Sequence, residues 1–290
     1  MPIGTDLREE QKTDPLFPVN LFRNRHTGHE ATILPLHWHE HLEIIWMTEG
    51  EAVFIVNGQA FTAKPGDLLF VGGGELHTGQ ATSAGPTEFV AIVFHPDLLA
   101  GKGFDPHYIR TIAPLLTGER RLPPHIGTEA PLYAYVAGPV MSAVRELESR
   151  ETAYEMNAKL YLALAFAQLF RHGAGPQQKP KETARQAERF KPLITYVEQR
   201  YAEKISVEDA AKMVNLSPYH FCKSFKKATG HTFGRFLQLI RVGEAERLLL
   251  ETEMPVTEIA VEVGFCDLHY LNKVFKKIKY CSPSDLRRLR

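Results

Sequence analysis

The residues best suited to chemistry lie in His37-Trp-His39-Glu-His41-Leu-Glu43, which is followed by Gly50, Gly66, Gly74 and His77. Imidazole and carboxylate together suit divalent transition metals, and the same groups can hydrogen-bond an organic ligand. In an extended segment, alternation would put His37, His39, His41 and Glu43 on one face of a strand. Two readings stay open. The cluster is an effector pocket lined by His37, His39, His41, Glu43 and His77, or its imidazoles and carboxylate hold a divalent transition metal. Arg23 and Arg25 are weaker pocket candidates. Trp46, on the opposite strand face, reads as packing.

A second set of candidates lies near the C-terminus, in two matching segments. Val207-Glu-Asp-Ala-Ala runs through Leu216-Ser-Pro to Phe225-Lys-Lys, and Val256-Thr-Glu-Ile-Ala runs through Gly264-Phe265 to Phe275-Lys-Lys. The second copy has one extra residue, which falls in the turn. Asn215 and Gly264 can take the left-handed conformation that ends a helix. Ser217 and Asp267 are placed to cap the next helix, and Pro218 suits its first turn. Each copy therefore reads as helix, tight turn, helix.

The spacing within the second helix of each copy separates two faces. Phe221, Phe225 and Ala228, like Leu271, Phe275 and Ile278, form an i, i+4, i+7 stripe that belongs in a core. The opposite faces carry Tyr219, Cys222, Lys223 and Lys226, and His269, Asn272, Lys273 and Lys276. Lysine and asparagine can bond base edges in a major groove, and flanking lysines can meet phosphates. Such faces also occur on ordinary solvated helices, but two in register favour double-stranded DNA as partner.

Charge distribution agrees. The 34 basic and 34 acidic side chains cancel over the chain, yet residues 187–290 hold 18 Lys+Arg against 13 Asp+Glu, leaving 16 against 21 in the rest. Only the basic third gains from counterion release on DNA. The three cysteines, Cys222, Cys266 and Cys281, have no disulfide-framework or zinc spacing and fit a reducing cytoplasm. No apolar run is long enough for a membrane span and the N-terminus has no signal-peptide core, so a cytoplasmic protein with no membrane partner is expected.

The elements that must position these groups can be placed from turn signals. Between Leu36 and Phe94, Asn57-Gly58, Lys64-Pro-Gly-Asp67 and Gly72-Gly-Gly74 separate short apolar segments, a pattern that predicts a small antiparallel β-barrel with a hairpin at Asn57-Gly58. From Pro131 to His172 the chain reads as helical, with Pro139 opening one helix and Val140, Val144 and Leu147 on one face. Leu160-Tyr-Leu-Ala-Leu-Ala-Phe-Ala-Gln-Leu-Phe170 is apolar nearly all round, so it needs cover on several sides. That points either to plain intradomain packing or to a homodimer through this segment. The expected organisation is a flexible arm at 1–16, a barrel at 17–129, a helical dimerisation segment at 130–172, a linker at 173–187 and an all-α domain at 188–290. The fold class is α+β in two domains.

Residues 188–290 resemble the AraC/XylS family of bacterial transcription regulators. The resemblance rests on Leu216-Ser217, Phe225-Lys-Lys-Ala-Thr-Gly230, Arg241, Ala245, Ile259-Ala260, Gly264-Phe265, Phe275-Lys-Lys277, Pro283 and Arg287. Tyr280 departs from it, standing where the family usually has glycine. The resemblance implies base reading by Tyr219, Cys222 and Lys223 in the first copy and by Leu268, His269, Asn272 and Lys273 in the second. It also implies one long helix, roughly Phe233 to Glu251, that holds the two readers about 34 Å apart, one DNA turn. RNA polymerase is a further partner if the protein activates.

The His37–His77 pattern resembles the cupin signature, whose members bind a divalent metal through the residues matching His37, His39, Glu43 and His77. Gly72 and Ala81 depart from it at positions that are not ligands. The two resemblances together imply a sequence-specific regulator of promoter DNA controlled by a small-molecule effector in a cupin-like barrel. The alternative is a cupin metalloenzyme, a dioxygenase or isomerase, with a helical accessory domain.

Overall fold

The computed structural model describes residues 17–27, 32–82, 85–99, 106–113, 120–173, 175–176, 182–279 and 281–288. The expected arm at 1–16 lies outside them. Eight strands follow in quick succession: β1 (Val19–His26), β2 (Thr32–His37), β3 (Leu42–Glu49), β4 (Ala52–Val56), β5 (Gln59–Ala63), β6 (Leu68–Val71), β7 (His77–Ala81) and β8 (Thr87–Phe94). The short strands β9 (Arg120–Arg121), β10 (His125–Ile126) and β11 (Gly175–Pro176) complete the set.

The strands form two packed antiparallel sheets, ordered β1-β8-β3-β6-β10 and β2-β7-β4-β5, while β9 pairs with β11. The expected small antiparallel, cupin-like barrel takes the form of a jelly-roll-like pair of sheets that do not close on each other. Turn spacing announces strands and hairpins, but closure depends on register between distant strands, and here β5 and β10 stay edges. Ile33 and Phe54 from one sheet meet Ile45, Met47 and Phe89 from the other in a shared core. Asn57 and Gly58 turn the β4–β5 hairpin at φ of 47° and 73°, the paired left-handed geometry whose twist matches the strands.

Helices cover the other face of the five-stranded sheet. After the short α1 (Pro106–Thr111), α2 (Tyr133–Ser149) and α3 (Tyr154–His172) form an antiparallel hairpin. Val136, Val140, Val144, Leu162, Phe166 and Leu169 bury against Ile44, Phe70, Ile92 and Phe94. Pro139 lies inside α2 instead of opening it. A helix-internal proline forfeits one backbone hydrogen bond, and burial of the flanking Val136, Ala137 and Val140 offsets that loss. Trp46 packs into this layer, as expected.

The C-terminal part is all helix: α4 (Glu182–Gln199), α5 (Val207–Met213), α6 (Pro218–Thr229), α7 (Phe233–Glu251), α8 (Val256–Glu262), α9 (Leu268–Lys279) and α10 (Pro283–Arg288). The last six residues of the expected linker, 182–187, are the first turns of α4. Their polar composition hid a helix that gains its stability downstream, where Phe190, Leu193, Ile194 and Val197 are fully buried.

Candidate functional site

The DNA-facing candidates sit on two equivalent units. In the first, Ser217 accepts a hydrogen bond from the His220 N–H and Gly230 closes α6 at φ 77°. In the second, the Tyr270 N–H donates to Asp267 at 2.7 Å. The turns are left-handed at Asn215 (φ 51°) and Gly264 (φ 82°). Four residues separate α5 from α6 and five separate α8 from α9, so the extra residue is in the turn. Tyr280 lies outside the described residues.

Each second helix shows its two faces as expected. Phe221, Phe225, Leu271 and Phe275 are fully buried. Tyr219, Cys222, Lys223, Lys226, His269, Asn272, Lys273 and Lys276 are exposed, and Leu268 is half-buried. Helix α7 runs from Phe233 to Glu251 between the units. Arg241 on it donates from Nε to the Tyr201 carbonyl and from Nη2 to the Glu203 carbonyl, each at 2.8 Å, tying α7 to the turn after α4. Gln238 on α7 donates to the Tyr270 hydroxyl at 2.8 Å, tying the same helix to α9. The second tie fixes the reading helix α9 relative to α7, and the first anchors α7 to the segment that leads into α5. Sequence reasoning missed them because their partners lie some thirty to forty residues away.

The second candidate site is in the sandwich, where His37, His39, Glu43 and His77 come together. All four are buried, with one potential ligand atom from each within 4.8 Å of the others. They do not share one strand, which corrects the alternation argument. His37 ends β2, His39 and His41 lie in the connection, Glu43 is on β3 and His77 begins β7 opposite His37. The chain turns at Glu40–His41, so side-chain alternation is broken there. His41 is consequently directed to the ring of His95 as well as that of His39 and does not join the four. Arg23 and Arg25 also stay out: Arg23 pairs with Glu88 at 2.6 Å and with Glu148, and Arg25 lies 3.8 Å from Glu88.

The hydrogen bonds around the rings fix their tautomers. His37 Nδ1 lies 2.8 Å from the Pro35 carbonyl, His39 Nδ1 3.1 Å from that of His41 and His77 Nδ1 2.7 Å from that of Glu75. A carbonyl only accepts, so each Nδ1 carries a proton and donates it. In the neutral rings Nε2 is then the acceptor nitrogen. Glu43 Oε2 stands 3.1 Å from His39 Nε2 and 2.9 Å from His77 Nε2. Acceptors thus face acceptors, and only a shared cation, a proton or a metal ion, relieves the conflict. Burial opposes charge at His77, but Glu43 outweighs it and pushes the imidazole pKa up. Burial likewise opposes charge at Glu43, yet His77 and His39 hold its carboxyl well below the usual range. Burial, with His77 beside it, lowers His37 to about 3, so that ring stays neutral.

The donor set fits a divalent transition cation. Three imidazoles held by carbonyls through Nδ1, with a carboxylate, form a mixed N/O ligand set with its outer partners already in place. Ligand atoms about 2.1 Å from one ion lie at most about 4.2 Å apart, so the cluster, whose atoms lie within 4.8 Å of one another, would draw in by some tenths of an ångström around an ion.

Comparison with known proteins matches both parts of the chain to known domains. An AraC-like ligand binding domain model matches residues 19–164, and a helix-turn-helix domain model matches residues 210–289. The chain is similar to the HTH-type transcriptional regulator YdeC of Bacillus subtilis (strain 168), 24% identical, with 99% of this chain and 98% of that protein covered. It is also similar to the HTH-type transcriptional activator RhaS of Escherichia coli (strain SE11), 25% identical over 87% of each. Among solved structures, ToxT from Vibrio cholerae O395 aligns over 94% of this chain and 98% of its own, with a TM-score of 0.43 and 14% identity. The chain belongs to the AraC-type family of DNA-binding transcription regulators, in which an N-terminal ligand-binding domain is joined to a C-terminal helix-turn-helix domain.

Proposed function

We propose that this regulator reads promoter DNA with α6 and α9 in successive major grooves and that a divalent transition cation at His37, His39, Glu43 and His77 serves as, or helps to hold, its effector. The observation that carries the DNA reading is the pair of exposed faces at equivalent positions on two units joined by α7. On these faces Tyr219, Cys222, Lys223, Leu268, His269, Asn272 and Lys273 are the base readers, and Lys226 and Lys276 meet phosphates. A cation is favoured over an organic effector lodged among the same four side chains because their ligand atoms lie too close together to admit a larger molecule. An organic effector contacting His41 from beside the cluster is compatible with that reading.

The remaining roles follow from the same reading. The relative RhaS is named an activator, which favours activation and a contact with RNA polymerase. Among the described residues no helix is long and apolar enough to cross a membrane, and with free thiols at Cys222, Cys266 and Cys281 the cytoplasm is the proposed location. Met156, Leu160 and Leu164 form an exposed i, i+4, i+8 stripe on α3, at 65%, 56% and 44% exposure. This stripe favours the homodimer over plain intradomain packing.

The test uses the full chain with DNA from upstream of its own and neighbouring genes, excess nonspecific competitor and two salt concentrations. Competitor-resistant binding is expected. Fully competed binding on every fragment, together with turnover of an organic acid or sugar by the metal-loaded protein, would replace this reading with the cupin-enzyme alternative.

A further inference from the structure

We infer that the four-residue cluster is built into the seat on which the first helix-turn-helix unit rests, so that cation occupancy sets how firmly that unit is held. This rests on the cation reading above. Leu36 precedes His37, Trp38 lies between His37 and His39, and Leu76 precedes His77. These three neighbours are only 4%, 6% and 0% exposed, and they pack with Phe190, Leu193 and Ile194 of α4 and Phe221 and Phe225 of the reading helix α6. Ligands and seat residues thus alternate along the same short backbone stretches.

The hydrogen bonds make that adjacency mechanical. His37 Nδ1 donates to the Pro35 carbonyl and His77 Nδ1 to the Glu75 carbonyl, so each leucine of the seat is bracketed between an imidazole and the carbonyl it grips. Displacing either ring moves the peptide units on both sides of Leu36 or Leu76. Asn57 stiffens the second bracket: its N–H donates to the Leu76 carbonyl at 2.8 Å and its Oδ1 accepts from the Leu76 N–H at 3.2 Å. The third ligand is linked through the loop of Gly72–Gly74. The Gly74 N–H donates to the His39 carbonyl at 2.7 Å, and a Cβ at Gly74 would lie 3.5 Å from Lys191 Nζ on α4.

The seat holds one unit and leaves its reading face open. The core of the second unit draws its buried residues from Val242 onward and includes none from the sandwich. Gly230, which closes α6, sits so near the β4–β7 surface that a Cβ there would come within 2.8 Å of Ile55 Cδ1. Tyr219, Cys222, Lys223 and Lys226 nevertheless remain exposed. A firmer seat therefore pre-organises the first reader without covering it. Cation loading should tighten operator binding, and by linkage the operator should tighten cation binding by the same factor.

Trp38 and Trp46 are the two tryptophans of the chain, so Trp46→Phe makes Trp38 a sole reporter in the seat while leaving the seat residues intact. The full-length variant would be stripped with chelator and titrated with Zn(II), which does not quench indole emission, and in parallel with Mn(II), Fe(II) and Ni(II). Bound cation would be counted by elemental analysis. The expected result is about one cation per chain, a blue shift of Trp38 emission on Zn(II) loading, and operator affinity raised about fivefold or more. Leu76→Ala, which keeps all four ligands, should still bind the cation but lose most of the gain in operator affinity. Stoichiometric binding with unchanged Trp38 emission and operator affinity would overturn the inference and leave the cation site standing. Failure of all four cations to bind would end the cation reading and the inference with it.

Discussion

At the scale of single residues, the acceptor-facing geometry of the cluster makes Glu43 the side chain whose chemistry is easiest to isolate. Glu43→Gln keeps size and burial but removes the negative charge that balances a cation. The thermal shift produced by a saturating divalent ion should then vanish or shrink severely, whereas 100 Kd of ligand would stabilise the parent by about 2.7 kcal/mol. An undiminished shift in Glu43→Gln would exclude the carboxylate as a ligand. On the DNA side, Lys223→Ala or Lys273→Ala should cost about 1–3 kcal/mol and blur base preference. Lys226→Ala should weaken all sequences alike and lower the salt slope by about one. Competition with operators substituted one base pair at a time separates the two classes.

His231 supplies a pH dependence of the folded chain that is separate from the cluster. Burial, with Arg235 nearby, lowers its pKa to about 4 from the ordinary 6.5, and its Nε2 is buried without a hydrogen-bond partner among the described residues. Because the folded value is depressed, the unfolded chain takes up a proton below about pH 6.5 that the folded chain refuses. This group therefore contributes no change above that pH, and stability falls as pH drops from about 6.5 to about 4, by up to about 1.4 kcal/mol per unit. Urea midpoints at pH 7.5 and pH 5 should show a smaller acid loss in His231→Gln than in the parent. Equal losses in both proteins would show that His231 is not the group responsible.

At the scale of elements, the two helix-turn-helix units are a test of what local signals can specify. Their caps, turns, buried stripes and even the extra turn residue were legible, because each depends on contacts within a few positions. Gly264 shows the physical demand: φ is 82°, and a Cβ would stand 2.4 Å from the Ala202 carbonyl oxygen. Gly264→Ala should destabilise the second unit by about 2–3 kcal/mol, seen as a lower melting temperature and loss of the distal half of the DNA footprint. A parent-like melting temperature would contradict the strain. The sandwich was less legible. The hairpin at Asn57-Gly58 could be read, as could the four residues that cluster, but the extent of sheet closure could not, nor could the turn at Glu40–His41 that takes His41 away from them. Both are decided by pairing between segments far apart in sequence. The roles of Arg241 and of the Leu36, Trp38 and Leu76 seat were hidden for the same reason: an arginine in a helix and apolar residues beside histidines have no distinctive pattern until the tertiary contacts exist.

At the scale of the whole molecule, the excess of basic side chains is confined to the C-terminal third, so DNA attracts that part while it repels the acidic N-terminal part, which keeps the reading faces turned to the duplex and the sandwich off it. A single chain already holds two readers, so pairing is not required merely to contact two grooves. What argues for it is the uncovered stripe on α3. Met156, Leu160 and Leu164 face away from the sheet while Ala158, Leu162, Ala165 and Phe166 of the same helix are buried against it. An isologous contact would bring this stripe against its own copy about a twofold axis. Leu160→Glu with Leu164→Glu introduces like charges across that axis but disturbs no buried side chain, since these two positions are 56% and 44% exposed. In light scattering at micromolar concentration the parent should show about twice the chain mass of 32.7 kDa and the double variant about that mass, with unchanged helical content. A parent of single-chain mass would remove the dimer, and the stripe would then have to be covered by something other than a second copy.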